Sequence, residues 1–513
     1  MLKQIIFVIL SVLSVQVFAQ DRTDSTFFYV QSVNSLNLAQ ANATFLLAGN
    51  FQKLGDASVF YKNYSGGYRT TQQAQKTVNA GLSSSGINTF GRFKVSGYFS
   101  FTRTWQDSLA WSTKGLEQDD KPYYYGSIKA GSFERINYQL GGVFSYNLIK
   151  DKLFLGGGAE YKFNNTTRSV DPRPDVDTYS LKISPEIIYH FKDQYLGIRT
   201  KWGYGTEVTS IGFKNLDYAN STTGYPDRVN YFIQGYGLFS NAQGTTEPLR
   251  KLEKSYGLGL NYAGRLSNYK INASLNYQNQ KEKFYQLLAN SLNRNYLGYY
   301  DTDLLEANLQ IDKQNTNYRS QLFISYSNQK SNDLNTLFNA VNYRYASSNA
   351  KLEYLLQLSP KNRTSPEVGV STLYSKVDKA DYSSDHFVGH TWIEPSISGT
   401  LYYKINNRNK LSGNLLVGYR TSIDSHLDIP ETQQTIFTNW VVFPDFSYYT
   451  SSAYKLGSKF QFISSGIFKQ FKTGLTVQGT YYKLNKVETT FPTAKRTLGE
   501  NFINVNLALN LYF

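Results

Sequence analysis

The residues best suited to chemistry are histidines that lie close to carboxylates in two polar segments. The chain has four histidines, and three of them fall in these segments. Neutral imidazole and carboxylate groups are together the ligands that zinc, copper and iron use in proteins. If the segments are neighbouring surface loops, their tips lie close enough to capture a divalent metal. The alternative also stays open: polar loops are rich in histidine and aspartate simply because of their composition. The candidate metal ligands are Asp385, His386 and His390 in the first segment and Asp424, His426 and Asp428 in the second.

Elsewhere the sequence contains few residues that indicate a catalytic or cofactor-binding site. His190 lies at the end of an apolar strand beside a short turn, a position typical of residues at a membrane interface. Gly156–Gly158 lies inside a strand pattern, where glycine indicates a bend or the close approach of another chain segment rather than a phosphate loop. The absence of cysteine excludes disulfides and thiol catalysis. We therefore expect no enzyme activity and no cofactor, apart from a surface-bound divalent metal.

The elements that carry these residues are amphipathic strands, and the last one has the clearest pattern. Side chains alternate between the two faces of a strand, so every second residue shares a face. At the C terminus one face is entirely apolar and the other is mostly amide. The apolar face consists of Ile503, Val505, Leu507, Leu509, Leu511 and Phe513. The same alternation recurs along the chain with tyrosine near the strand ends, as expected for a lipid-facing band with aromatic girdles and a wet interior.

Connection lengths give an independent test of this interpretation. Outer-membrane barrels have short periplasmic turns and longer extracellular loops. Eight short turns alternate with long polar segments such as Thr209–Lys251 and Ser422–Phe443, provided that the patch Val229–Ser240 belongs to a long loop. The sequence thus predicts an all-β fold, a transmembrane antiparallel β-barrel of about 18 strands with 16–20 acceptable. The turns lie near 87–90, 149–152, 192–194, 266–268, 314–317, 360–364, 406–409 and 468–472.

The N-terminal part divides into a leader and a short segment ahead of the barrel. Lys3, the apolar run that follows it and Ala19 have the form of a secretory signal peptide, so we assign residues 1–19 to it. Residues 20–56 contain more apolar side chains than a linker would. They are predicted to pack in the periplasmic mouth, with docking of a partner as the alternative, and residues 57–513 are predicted to form the barrel. At this strand number the interior is either a water-filled channel or a plugged one.

The formal net charge of +15 is scattered along the chain rather than gathered in a patch. We therefore expect no nucleic-acid binding, and the basic residues would meet outer-membrane lipid and lipopolysaccharide phosphates or anions in the lumen.

The signal peptide, the alternation and the terminal Asn-Leu-Tyr-Phe together resemble Gram-negative outer-membrane β-barrels. Phe513 is similar to the terminal aromatic residue that the barrel-assembly machinery recognises in that superfamily. More narrowly, the chain resembles an uncharacterised barrel family whose members accompany TonB-dependent nutrient receptors. The resemblance implies an outer-membrane location, with the assembly machinery and a TonB-dependent receptor or surface lipoprotein as partners.

Two hypotheses for function follow. The polar inner face and the large strand number favour a transport-related role, as a porin-like channel or as an accessory subunit of a nutrient uptake system. The long loops favour the alternative, a cell-surface binding or assembly platform that includes metal capture.

Overall fold

The computed structural model describes residues 26–115, 120–220, 222–242, 247–287, 294–468 and 470–513. The signal-peptide assignment, residues 1–19, lies outside these ranges. Within them, no helix is long and apolar enough to cross a membrane.

Eighteen of the strands form one sheet and three short ones form a second. In chain order the strands are β1 (Leu54–Gly66), β2 (Lys76–Phe90), β3 (Phe93–Leu109), β4 (Tyr124–Gly126), β5 (Gly131–Ile149), β6 (Leu153–Arg168), β7 (Arg173–Phe191), β8 (Gln194–Gly212), β9 (Tyr231–Ile233), β10 (Phe239–Asn241), β11 (Leu249–Leu266), β12 (Tyr269–Leu287), β13 (Arg294–Gln314), β14 (Tyr318–Asn335), β15 (Tyr343–Leu358), β16 (Thr364–Asp381), β17 (His386–Lys404), β18 (Asn409–Asp428), β19 (Ser452–Ser464), β20 (Lys472–Lys486) and β21 (Asn501–Tyr512). The α-helices are α1 (Val30–Ala39), α2 (Ala43–Ala48), α3 (Leu216–Asn220) and α4 (Phe443–Thr450), with a π-helical turn at Thr438–Val442 before α4.

The larger sheet closes on itself. Each barrel strand pairs antiparallel with the barrel strands before and after it, and β21 pairs with β1. Beyond the end of β21, Phe513 continues the ladder, because its amide donates to the Gly55 carbonyl at 3.0 Å and its carbonyl accepts from the Gly55 amide at 2.7 Å. The prediction of a closed antiparallel barrel with 18 strands is therefore confirmed.

The outer surface of the barrel has the predicted apolar band. In β21, Ile503, Leu507 and Leu509 are exposed on the outside, whereas Tyr512 points inward and is buried. Leu415, among the most exposed of the outward-facing residues, keeps 70% of its surface free. An apolar side chain left this open on every second position of a closed barrel belongs in lipid rather than in water.

Seven of the eight short turns fall where the sequence places them, between consecutive barrel strands, and the one predicted at 87–90 lies slightly later, at 91–92. We call this side the turn end of the barrel. The long segments agree less uniformly. The sequence also predicts loops at 378–390 and 166–177, but only 382–385 and 169–172 lie outside the strands there, whereas the loop predicted at 487–500 matches the connection between β20 and β21. The strands continue well past the roughly 9–11 residues needed to cross a membrane. In the part of a strand that lies beyond the membrane, the apolar alternation that marks a strand in the sequence disappears.

Both mouths of the barrel are filled by the chain itself. At the turn end, residues 26–49, which include α1 and α2, lie inside the barrel; we call them the N-terminal plug. At the opposite end, β4, β9 and β10 form the second sheet and pack with α4 inside the mouth. We call this assembly, residues 110–115, 120–130, 226–242 and 435–450, the loop-end plug.

Candidate functional site

The candidate site is the lumen between the two plugs. Its wall consists of the inward-facing residues of the strands, which are mainly Ser, Thr, Asn, Gln and charged residues. Asn349 faces inward and is nevertheless exposed, so the middle of the barrel contains space that the protein does not fill. A polar wall around an accessible space is what a solute-conducting lumen requires.

The first part of the N-terminal plug is held by aromatic contacts. The Phe27 ring stacks on Tyr512 with 4.4 Å between centroids, and the Phe28 and Tyr29 rings meet Tyr402 edge-on at 5.3 and 4.9 Å. These side chains are buried, and they fix the start of the plug to the wall near the seam where the barrel closes.

Helix α1 continues with polar contacts to β14, β16 and β17. The Gln31 amide donates to the Glu367 carboxylate at 3.0 Å, and Tyr402 donates to the other oxygen of the same carboxylate at 3.0 Å. The Arg319 guanidinium donates to the Ser32 hydroxyl at 2.7 Å. Because Gln31 and Glu367 are both buried, each needs this partner, and the register of α1 on the wall is fixed.

Helix α2 is anchored by one buried carboxylate. Glu186, on β7, accepts from the Thr44 hydroxyl at 2.5 Å, the Ala43 amide at 3.0 Å and the Asn261 amide at 2.8 Å. Asn42 caps the helix by accepting from the Phe45 amide at 2.8 Å. A carboxylate at the first turn of a helix also meets the positive end of the helix dipole.

Two wall glycines let α2 approach this closely. A Cβ atom at Gly156 would overlap the Cβ of Ala43, and one at Gly197 would overlap the Thr44 hydroxyl. Gly156, the first glycine of the run for which the sequence predicts a bend or a close approach, is therefore one of the points where the plug touches the wall.

The loop-end plug has a larger aromatic core. Trp111 is completely buried, stacks on Tyr231 at 5.5 Å and meets Phe437 edge-on at 5.6 Å. Tyr123 packs on Phe284 of β12 at 4.7 Å. This core joins the loop before β5, the loop before β11 and the α4 segment into one closure.

Two aspartates at the loop-end rim attach this plug to the wall. Asp333 accepts from the Tyr123 hydroxyl at 2.7 Å, and it also accepts the amides of Asn342 and Tyr343, its neighbours on the rim. Asp381 accepts from the amides of Gly237 and Leu238 at 2.9 and 2.8 Å. Burial raises the pKa of Asp333, although its hydrogen bonds act in the opposite direction.

The predicted metal ligands do not form one cluster. Asp385 lies in the turn before β17, whereas His386 and His390 lie in β17 and His426 lies in β18, so the assignment of these residues to loops was wrong. His386 and His390 point into the barrel. His426 pairs with Gly389 and therefore faces outward, together with Asp424 and Asp428. In the described ranges no three His, Asp or Glu side chains are arranged to hold a metal, and metal binding stays a prediction.

The two inward histidines contact the loop-end plug instead. The Nδ1 of His386 lies 2.6 Å from the Ser384 carbonyl, which can only accept, so Nδ1 carries the proton and Nε2 accepts from the Thr438 hydroxyl at 2.8 Å. His390 stacks on Tyr449 with 3.9 Å between ring centroids. Both are at the loop end of β17, beyond its lipid-facing part.

Four carboxylates that anchor the plugs were not predicted from the sequence: Glu186, Glu367, Asp333 and Asp381. Glu186 and Glu367 do have a recognisable signal. Each precedes an outward apolar residue, Ile187 or Val368, which places the carboxylate on the inner face. Alternation alone, however, cannot distinguish a carboxylate that anchors a plug from one that lines water.

Comparisons with known proteins place the chain in a family. No curated protein matches the sequence. Among solved structures, the siderophore receptor PiuA from Acinetobacter baumannii is 8% identical over 90% of this chain and 82% of that chain, with a TM-score of 0.40. The ferric citrate transporter FecA is 8% identical over 92% of this chain and 79% of that chain, with a TM-score of 0.39. The outer-membrane transporter YddB from Escherichia coli is 8% identical over 90% of this chain and 81% of that chain, with a TM-score of 0.38. At these TM-scores the matches carry no functional inference. The family model, in contrast, matches residues 43–513, and the chain belongs to the family of unknown function DUF6850.

Proposed function

We propose that this protein is an outer-membrane transport barrel with two gates, in which a polar lumen is closed by the N-terminal plug at the periplasmic end and by the loop-end plug at the cell surface. The observation that supports this proposal is the attachment of both plugs to the wall through buried carboxylates. Glu186 and Glu367 hold one plug, and Asp333 and Asp381 hold the other.

Polar attachment suits a gate better than a permanent stopper. When a plug leaves, water replaces its hydrogen bonds, so each typical bond contributes only about 0.5–1.5 kcal/mol to closure and those to charged groups about 1.5–3 kcal/mol. A solute or a partner protein, such as a TonB-dependent receptor or a surface lipoprotein, would supply this free energy for the polar contacts, in addition to the free energy needed to separate the aromatic contacts of the plugs.

Glycine-to-leucine substitutions test the two gates separately. At Gly197 a side chain would overlap Thr44 of the N-terminal plug. At Gly237, within the loop-end plug, it would overlap Ser384 and His386 on the wall. Gly399 is a matched control, because a Cβ there meets nothing within 4 Å. Each variant would be checked for barrel formation by circular dichroism before use.

The measurement is the single-channel conductance of the full chain in planar bilayers. Because the two gates are in series, wild type, Gly197→Leu, Gly237→Leu and Gly399→Leu should all stay nearly closed. The Gly197→Leu/Gly237→Leu double variant should conduct. A folded double variant that conducts no better than wild type would overturn the proposal.

The platform hypothesis predicts a different result. On that hypothesis the loops project outward to bind a partner, and loosening the plugs has no effect on current. The inward packing of residues 110–115 and 226–242 at the mouth supports the gate instead.

A further inference from the structure

Between the two plugs, a cavity of about 340 Å³ opens in the inner wall of the barrel where β13 to β17 run side by side. Its position follows from β13. Gln310 on this strand donates to Ser35 of the N-terminal plug at 3.3 Å, and at the other end Tyr300 lies in the core of the loop-end plug. Glu306 and Asn308, which line the cavity, lie between these two points. The cavity is therefore a compartment that neither plug fills.

The polar lining of the cavity consists mostly of neutral hydrogen-bonding groups, with Glu306 and Lys351 as its charged side chains. Ser325 and Ser327 from β14 lie side by side with Asn349 from β15 on the inner face, in register with Asn308 and Glu306 of β13. The Asn349 side-chain oxygen accepts from Ser375 at 2.7 Å, which turns its amide nitrogen away from that partner. Hydroxyl and amide groups both donate and accept hydrogen bonds, as the hydroxyl groups of a polyol do.

The apolar and aromatic residues of the lining are Trp392, Leu373, Ala350, Tyr326 and Tyr374, and of these Trp392 and Leu373 share the inner face with Ser375. The Arg420 guanidinium carbon lies 4.7 Å from the centroid of the Trp392 indole ring, which fixes the ring in place. The β17–β18 ladder has a bulge beside Trp392, and bulges commonly redirect a side chain next to a functional site. A held aromatic ring beside neutral donors and acceptors offers one apolar surface and several polar contacts.

The charges of the cavity do not favour an ion. Lys351 lines it but forms an ion pair with Glu353, its neighbour on the same face of β15. Glu306 is the remaining charged side chain of the lining, and a carboxylate repels an anionic solute. The volume is within the range of small-molecule sites, about 300–1,000 Å³.

From these observations we infer that this cavity is a solute-binding subsite for a neutral polyhydroxylated compound, that is, a carbohydrate. The inference rests on the proposed transport function and names the class of solute. Trp392 would cover the apolar face of a sugar ring, and Asn308, Ser327 and Asn349 would bind its hydroxyl groups.

The test is isothermal titration of the detergent-solubilised full chain with maltotriose, cellotriose and xylotriose, and with trialanine and citrate as peptide and anion probes. Wild type and the Gly197→Leu/Gly237→Leu double variant are both titrated, since closed plugs would hide the cavity. At least one saccharide should bind, and Trp392→Ala or Asn349→Ala should weaken that binding tenfold or more. Trp202→Ala is the matched control, because this tryptophan lies on the lipid-facing surface and is 47% exposed.

Several results would overturn the inference. One is that no saccharide binds either protein, and another is that binding is unchanged in both cavity variants. Preferential binding of trialanine or citrate, lost in those variants, would assign the cavity to another class of solute. The Gly197→Leu/Gly237→Leu double variant separates this inference from the proposed function. If it conducts and no saccharide blocks the current, the carbohydrate site is refuted but the channel is not. If it binds a saccharide but does not conduct, the channel is refuted.

Discussion

Replacing Glu186 with glutamine should release α2 from the wall while leaving the barrel intact. Glu186 accepts two hydrogen bonds from the plug, at 2.5 Å from Thr44 and 3.0 Å from the Ala43 amide. Glutamine keeps one oxygen, so the bond that it accepts from the Ala43 amide becomes neutral. Its NH2 group takes the place of the oxygen that faces Thr44 and Asn261; the Thr44 hydroxyl can accept from this group, but the Asn261 amide nitrogen is itself a donor. Hydrogen bonds to charged groups exceed neutral ones by about 1–1.5 kcal/mol, and an unsatisfied buried group costs about 1–3 kcal/mol. The closed state of α2 should therefore lose about 2–4 kcal/mol, or roughly a 30- to 700-fold increase in the opening equilibrium.

Hydrogen exchange of the α2 amides measures this opening directly. The amides of Leu46 and Gly49 are the reporters, because they bond to carbonyls within the plug. Their exchange should accelerate by the factor above, whereas barrel-strand amides should not change. Glu160→Gln is the matched control, since Glu160 also faces the lumen but accepts from Tyr98 at 2.8 Å and from Gln139 rather than from the plug. Unchanged exchange in Glu186→Gln, or equal acceleration in Glu160→Gln, would refute the reasoning.

Three further predictions concern the same two plugs. The chain has no cysteine, so a Thr44→Cys/Gly197→Cys pair can be introduced without competing thiols. The two Cβ atoms would lie 3.3 Å apart, which is close to disulfide geometry. Oxidation should therefore slow amide exchange in α2, and reduction should return it to the faster rate. Asp333→Ala removes the hydrogen bond that Tyr123 of the loop-end plug donates to the wall, together with two bonds within the rim. A hydrogen bond to a charged group contributes about 1.5–3 kcal/mol, so exchange in the plug should accelerate about 10-fold or more. An unchanged rate would contradict this prediction. Burial lowers the pKa of His386 and lowers that of His390 to about 3, so both are neutral when the plug is closed and regain a pKa of about 6.5 when it opens. Closure should therefore be complete above about pH 6.5 and weaken as the pH falls below it. For His390 the loss is about 1.4 kcal/mol per pH unit down to about pH 3, and His386 acts in the same direction. The weakening would be seen as amide exchange faster than the intrinsic rates explain, and the His386→Gln/His390→Gln double variant should abolish it.

The barrel could be predicted from the sequence because its physics is local. Alternation needs only neighbouring residues, and a short turn between two alternating runs fixes their pairing. The strand number, the turns and the closing position of Phe513 all follow from these two rules, and the structure has them. The same rules failed beyond the lipid band. There the strands that contain His386 and His426 have no apolar face, and they were taken for loops.

The plugs could not be placed from the sequence because their contacts join distant parts of the chain. Gln31 and Glu367 are 336 residues apart, and Thr44 and Glu186 are 142 apart. In the sequence, the wall partner of each contact looks like any other inward-facing polar residue. Gly156 and Gly197 are the residues that mark where the plug contacts the wall, because a wall lined by water does not require a residue without a side chain.

The two plugs differ in how they are held, and this difference sets the order in which they should open. The loop-end plug is closed by an aromatic core around the fully buried Trp111, and separating its rings exposes apolar surface at roughly 25 cal/mol per Å². Helix α2, in contrast, has a smaller apolar contact with the wall, in which Ala43 and Leu47 pack with Phe154 and Ile188. It is also held by hydrogen bonds to Glu186 and Asn261, which water can replace. The aromatic start of the N-terminal plug, Phe27 to Tyr29, stays fixed at the seam by its ring contacts. We therefore expect α2 to leave the wall first. Helix α1 and the loop-end plug should follow only when the binding of a solute or a partner supplies the larger free energy that their apolar contacts require.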